Sequence, residues 1–169
     1  LDRMVPCAAN SGVEEQRLEF DYVIAGGGSA GCVLAARLSE NPNSTVCLLE
    51  AGGDGRDALI RMPLGVAVML PGYGKINNWA FQTVPQKGLN GRRGYQARGR
   101  AVGGSSAINA MLYVRGVPSD YEDWKAGGAD GWGWDDVLPW FRKSERNENG
   151  ADDWHGNVGP LRVANQRSP

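Results

Sequence analysis

Residues 20–50 constrain this chain more than any other stretch. Positions 20–25 (FDYVIA) are a short apolar, β-branched run of the kind that fills a buried strand of a parallel sheet. Gly26, Gly27 and Gly28 end it. Residues 29–40 (SAGCVLAARLSE) then place Cys32, Leu34, Ala35 and Leu38 at helical spacing without a proline. The helix is expected to stop at Asn41-Pro42-Asn43, and 45–49 (TVCLL) to form a second strand. Strand, helix and strand in this order make a βαβ unit, whose crossover should be right-handed. Gly26-Gly27-Gly28-Ser29-Ala30-Gly31 fits G-x-G-x-x-G in the context the motif requires, after a strand and opening a helix. On this reading Gly26 makes the turn, Gly28 lets a pyrophosphate approach the backbone, and Gly31 lets the helix pack closely. Ser29 opens the helix whose N-terminal N–H groups and dipole favour the phosphates. Glu50 closes the second strand 19 residues after Gly31, where an acid hydrogen-bonds ribose hydroxyls and repels a 2′-phosphate. A glycine turn in an unrelated α/β fold is the alternative, and the unit alone does not separate NAD from FAD.

Composition sharpens the reading. Glycine accounts for 25 of 169 residues, about twice average usage, and it is clustered at 26–28, 52–53 and 103–104 rather than periodic. The third cluster lies in residues 98–109 (RGRAVGGSSAIN), where successive backbone N–H groups can form an anion nest. A nicotinamide domain needs no second loop of this kind so far along. A flavin nucleotide is longer, and its isoalloxazine needs its own platform. A plain glycine-rich hairpin is the competing account. Arg92, Arg93, Arg98 and Arg100 fit either a solvated loop or an anion-contacting one.

Other features bound the function by exclusion. A net charge of -1 gives no global field to attract nucleic acid, and no apolar run approaches the ~18 residues of a membrane span. Residues 1–19 lack the apolar core of a secretory signal and read as an N-terminal extension, with the domain running over 20–169. Cys7, Cys32 and Cys47 have no metal-ligand spacing; Cys32 and Cys47 read as buried thiols, which fits a reducing compartment. Residues 58–70 are apolar but broken by Pro63, and 78–109 are expected to form an extended excursion without regular elements. Helices are expected to start at Ser105 and to cover 119–125 and 134–146, with a strand edge at 160–163. The lone His155 sits in a loop-like segment and reads as structural rather than as a proton acceptor. The tryptophans read as packing residues, and the pairs Asp135-Asp136 and Asp152-Asp153 as caps.

Several motifs occur in order: DYVIAGGGSAGCVLAARLSE (21–40), LLEAGG (48–53), NWAFQT (78–83), RGRAVGGSSAINAMLYVRG (98–116), DYEDW (120–124), GADGWGWDDVLPWF (128–141) and WHGNVGPL (154–161). With these the chain resembles the glucose–methanol–choline (GMC) oxidoreductase family, nearest its choline, sorbose and alcohol dehydrogenase branch. The resemblance implies an α/β fold, a Rossmann-like FAD-binding βαβ unit with a long Gly/Arg-rich excursion and helices. It also implies that this is the incomplete N-terminal part of a larger two-domain flavoprotein. By position, Gly26, Gly28, Gly31, Glu50 and Ala51 would hold the ADP half. Arg98, Gly99, Gly103, Gly104 and Ser106 would lie along the pyrophosphate and ribityl chain. Asn109, Ala110, Met111 and Leu112 would reach the isoalloxazine. Trp79 would either line the cofactor or pack in a core. Where some members attach FAD through a histidine this chain has Ile108, so non-covalent FAD is implied. The activity implied is oxidation of a small alcohol to an aldehyde or ketone by hydride transfer to flavin. A cyanohydrin lyase of the same family and a non-catalytic flavin-binding fragment are the alternatives. The catalytic histidine and its partner are expected in the remainder of the polypeptide, and the motifs do not specify the electron acceptor.

Overall fold

The computed structural model describes residues 18–167, so Cys7 and most of the expected N-terminal extension lie outside the described residues. These residues divide at Met111/Leu112 into two compact units.

The first unit begins with strand β1 (Tyr22–Ala25), helix α1 (Ser29–Leu38) and strand β2 (Val46–Leu49). β1 and β2 pair in parallel, Tyr22 opposite Val46 and Ala25 opposite Leu49. A reciprocal staple starts the pair: the Thr45 N–H and hydroxyl donate to Asp21 Oδ2 at 2.7 and 2.8 Å, and the Asp21 N–H donates to Thr45 Oγ1 at 3.0 Å. Those bonds favour the charged form and lower the Asp21 pKa. α1 ends at Ser39, and Asn41 then closes the turn through its side chain, which accepts from the Asn43 N–H at 3.0 Å. All three elements stand within two residues of their expected bounds. A parallel sheet usually has both faces covered. Here Val23 is 60% exposed and Val33 on α1 is 59% exposed.

Beyond β2 the apolar stretch folds as two single-turn helices, α2 (Ala58–Arg61) and α3 (Val66–Met69), separated at Pro63 by a 3-10 turn. Asp57 caps α2 by accepting from the N–H groups of Leu59 and Ile60. The expected excursion is long and largely irregular, but it contains a minimal antiparallel pair, β3 (Phe81–Gln82) with β4 (Tyr95–Gln96). No α-helix starts at Ser105. Gly104–Ala107 form a 3-10 turn and the chain then runs irregularly to α4. Gly103 and Gly104 both take positive φ, and Ser106 turns its hydroxyl onto the Gly103 carbonyl, so the local bonds close a tight turn instead of propagating a helix.

The second unit holds helices α4 (Pro118–Ala126) and α5 (Trp134–Ser144) and the parallel pair β5 (Glu145–Asn147) with β6 (Leu161–Val163). α4 starts with Pro118 in its first turn, where the missing N–H costs nothing. α5 runs through Pro139 and yields its expected last residues to β5. The Glu122 carboxylate accepts from the Trp134 N–H at 2.8 Å and so ties α4 to the start of α5. Tyr121 sits at the centre of the aromatic core, with ring centroids 5.5 Å from Trp124, 5.4 Å from Trp134 and 5.8 Å from Phe141. Trp154 packs on Trp134 at 5.5 Å. Among the described residues no helix is long and apolar enough to cross a membrane.

Candidate functional site

The site forms where three backbone turns of the first unit meet. The first is the glycine turn between β1 and α1. Gly26 has φ +99°, and its N–H continues the ladder to the Leu49 carbonyl at 2.7 Å. Gly31 stands so close behind it that a Cβ there would lie 2.0 Å from the Gly26 carbonyl oxygen. At Gly28, by contrast, a Cβ would meet nothing within 4 Å. Gly28 caps α1 with no side-chain acceptor, so the N–H groups of the first turn, Ser29 onward, have no partner within the helix. Open space in front of unpaired donors and a ten-residue helix dipole suits a pyrophosphate.

The second turn follows β2. Glu50 is half-buried; its Oε2 accepts from the Gly27 N–H at 2.7 Å and its Oε1 from the Gly52 N–H at 2.9 Å. The carboxylate therefore joins the two turns and keeps lone pairs for a further donor such as a ribose hydroxyl. The third turn is the second glycine loop. Its Val102 N–H donates to the Gly53 carbonyl at 2.9 Å and its Gly103 N–H to the Gly27 carbonyl at 2.7 Å. Gly104, at φ +55°, packs so tightly on the first turn that a Cβ would lie 2.7 Å from Gly28 Cα. The loop folds on itself, with the Gly99 N–H donating to Ser105 Oγ at 3.1 Å.

Of the residues singled out from sequence, the structure thus brings together Gly26, Gly28, Ser29, Gly31, Glu50, Gly103, Gly104 and, through its hydroxyl bond to Gly103, Ser106. Ala51 enters through its carbonyl, which accepts from Arg100 Nε at 3.3 Å. The Arg98 guanidinium is held on the Ala97 carbonyl at 2.6 Å, while its backbone pairs with residues 78 and 79. Trp79 lies at the surface of the described residues. It is 38% exposed, stacked on Phe81 at 5.7 Å and lies under the Arg100 guanidinium at 4.8 Å. Asn109, Ala110 and Met111 follow the loop. Asn109 Oδ1 accepts from the Met111 N–H at 2.9 Å, and Met111 adopts φ +59°, unusual for a residue with a side chain. A cavity of about 140 Å³ there is lined by Ile60, Met62, Met69, Ser106, Asn109 and Met111. Leu112 opens the second unit.

Sequence reasoning missed two buried polar centres. In the first unit Asn78, 1% exposed, bonds both the end of α3 and the entry to the second loop. It stood inside NWAFQT, yet only its neighbour Trp79 was singled out. In the second unit Glu145, 0% exposed, receives Arg115, Asn147 Nδ2 at 2.9 Å and the Gly156 N–H at 3.2 Å. His155 Nδ1 lies 3.0 Å from Glu145 Oε1 and carries the proton of that bond, because a carboxylate only accepts. Burial pushes the Glu145 carboxyl up, but the bonds from Asn147, His155 and Gly156 and the Arg115 charge outweigh it, and the pKa is lowered. A group lowered on folding stabilises above its unfolded pKa, about 4.3 for glutamate, and that contribution is lost as pH falls through the lower folded value. The second unit should therefore hold its stability from neutral pH down to about pH 4 and lose it below. Tryptophan fluorescence in an acid titration measures this, and Glu145→Gln should flatten the acid limb; an unchanged limb in that variant would contradict the assignment. Among the described residues no cluster of His, Cys, Asp and Glu could hold a metal ion.

A parallel strand pair, a glycine turn with unpaired helix N–H groups beyond it and an acid at the end of the second strand define the class: a dinucleotide-binding α/β unit. A family model described as GMC oxidoreductase matches residues 20–169, and the chain belongs to that family. It is 49% identical over 146 residues to an alcohol dehydrogenase [acceptor] of Pseudomonas putida, covering 86% of this chain and 26% of the relative. It is 46% identical over 151 residues to an oxygen-dependent choline dehydrogenase of Xanthomonas campestris pv. campestris, covering 89% and 27%. Among solved structures, a pyridoxine 4-oxidase from Mesorbium loti matches with a TM-score of 0.76 and 46% identity, over 85% of this chain and 28% of that one. The chain spans about a quarter of the length of the relatives it matches.

Proposed function

We propose that this chain is the FAD-binding part of an oxidoreductase that oxidises the CH–OH group of a small alcohol to an aldehyde or ketone. The observation that carries the reading is the junction of the two glycine loops, Gly103 N–H on the Gly27 carbonyl beside the open space at Gly28. A single nucleotide-binding turn has no need of the second loop. A flavin dinucleotide, with a ribityl chain beyond its pyrophosphate, does. When bound, FAD supplies a two-electron acceptor for the hydride of the alcohol carbon.

The chain's own residues bind and orient. The first-turn N–H groups from Ser29 onward, with Gly26, Gly28 and Gly31 shaping the turn, face the pyrophosphate. Glu50 and Ala51 mark the ribose end. Gly99, Gly103, Gly104 and Ser106 carry the second loop along the ribityl stretch, with Arg98 at its entry. Asn109, Ala110, Met111 and Leu112 lead toward the isoalloxazine, and the exposed face of Trp79 is available to the cofactor. Ile108 supports non-covalent attachment: it is 2% exposed and has no nucleophile to offer a flavin methyl group. The remainder of a longer polypeptide would provide the alcohol site and the base that takes the hydroxyl proton.

An absorption spectrum of the purified protein after incubation with FAD tests the reading. Bands near ~370 and ~450 nm that survive gel filtration and are released into the supernatant on acid precipitation are expected. A protein that stays colourless refutes flavin binding, and colour that remains with the acid pellet refutes the non-covalent form.

A further inference from the structure

We infer that Asn78 is the positioning residue of the second glycine loop and, through it, of the dinucleotide; the last step rests on the flavin reading above. Asn78 is 1% exposed, yet each polar atom of its side chain is engaged. Its Nδ2 donates to the Met69 carbonyl at 2.7 Å and the Leu70 carbonyl at 3.4 Å, at the end of α3, and to the Tyr95 hydroxyl on β4 at 3.0 Å. Its Oδ1 accepts from the N–H groups of Ala80 at 2.9 Å and Arg98 at 3.0 Å. Carbonyls on one side and N–H groups on the other fix the amide in one orientation. The donor half therefore faces the helix end and the acceptor half faces the loop entry.

The backbone on either side pairs with the same loop. The Trp79 N–H donates to the Arg98 carbonyl and the Arg100 N–H to the Asn77 carbonyl, both at 2.8 Å. Those bonds set the register of two irregular segments against each other. The side chain of Asn78 ties that paired body to α3. From Arg98 the loop has no slack, because Val102 and Gly103 are already bonded to Gly53 and Gly27, and Gly104 has no room for a Cβ against Gly28. A displacement at Arg98 is passed to Val102 and Gly103 and so to the turns that their N–H groups hold at Gly53 and Gly27. Ala80 at φ +50° shows that the surrounding backbone is bent to serve this amide, since its N–H reaches Asn78 Oδ1 from a conformation that residues with side chains seldom adopt.

Three variants of this chain separate positioning from general support. Asn78→Leu removes both halves of the amide. Asn78→Asp keeps an acceptor for Ala80 and Arg98 but turns an acceptor oxygen toward the carbonyls of α3 in place of the donor. Tyr95→Phe removes one partner on the donor side alone. The readouts are amide hydrogen exchange over 98–106, compared with β2, and FAD affinity from flavin fluorescence. Asn78→Leu should speed exchange of the loop, but not of β2, by about tenfold, and weaken FAD by about tenfold. Asn78→Asp should restore both to within about threefold although its melting temperature falls, and Tyr95→Phe should lower only the melting temperature. Exchange rising equally in the loop and β2, or Asn78→Asp leaving the loop as unprotected as Asn78→Leu, would overturn the inference. If Asn78→Leu does not fold, loop protection in Asn78→Asp decides it alone. If the unsubstituted chain takes up no flavin, the functional reading falls, and loop exchange still decides the role of Asn78.

Discussion

Gly28→Ala should leave the fold standing and weaken the binding of FAD. Gly28 has φ -72° and ψ -173°, extended backbone that alanine adopts freely, and its added Cβ would meet no atom within 4 Å. The cost to stability is that of a poorer helix cap, below about 1 kcal/mol. On the proposed reading the methyl group would occupy the space through which the pyrophosphate approaches the α1 N–H groups, so FAD affinity should fall by about a hundredfold, or about 2.7 kcal/mol. Gly31→Ala is the contrasting case. Alanine is the better helix former by about 1 kcal/mol, but its Cβ would sit 2.0 Å from the Gly26 carbonyl oxygen, and that oxygen is backbone. The turn must move, at about 1–3 kcal/mol, so Gly31→Ala should lose stability and flavin together. Thermal melts beside a flavin fluorescence titration measure both variants. A Gly28→Ala chain that binds FAD like the unsubstituted one would place the cofactor elsewhere.

Arg115→Ala should be among the most damaging single changes in the second unit. Arg115 bonds Glu145 directly, its Nη1 reaches the Trp154 carbonyl at 2.5 Å, and its guanidinium lies 5.0 Å over the Phe141 ring. Removing it leaves a carboxylate with a fully buried side chain short of its cation, a loss of about 3–5 kcal/mol. Arg115→Lys keeps the charge but cannot reach the carboxylate and the Trp154 carbonyl as a planar fork does, so it should fall between the two. Urea denaturation followed by tryptophan fluorescence measures the loss. A change below about 1 kcal/mol for Arg115→Ala would mean that Asn147, His155 and Gly156 satisfy Glu145 without it.

Local signals made much of this fold legible. β1, α1 and β2 follow from an apolar β-branched run, a glycine turn and a 3.6-residue period, each read within a window of a few residues. α5 is announced by acids at Asp135 and Asp136 and bases at Arg142 and Lys143, which complement its dipole. Where the same approach misplaced a helix, at Ser105, the apolar residues beyond the serines suggested a period that the chain does not use. Ile108 is 2% exposed although no α-helix runs there, so its burial does not mark a helix face. Trp79 shows the converse. The NWAFQT resemblance left cofactor shelf and core residue open, and only the fold sets the ring at 38% exposure among the described residues, under Arg100.

The glycine motif, the β1–α1–β2 order and the family signatures were legible without the fold, because each depends on residues close together along the chain. The tertiary structure alone decided how the two glycine loops meet, and that Asn78 and Glu145 are the polar centres of their units. Asn78 binds Arg98 across 20 positions and Glu145 binds Arg115 across 30, and no periodicity encodes a bond of that span. Asparagine and glutamate ordinarily face water. Only burial turns each into a group whose partners must all be supplied by the fold. The same holds for the opening glycine motif: its spacing promised a turn, but the tight contact of Gly104 on Gly28 exists only once the second loop has closed over the first.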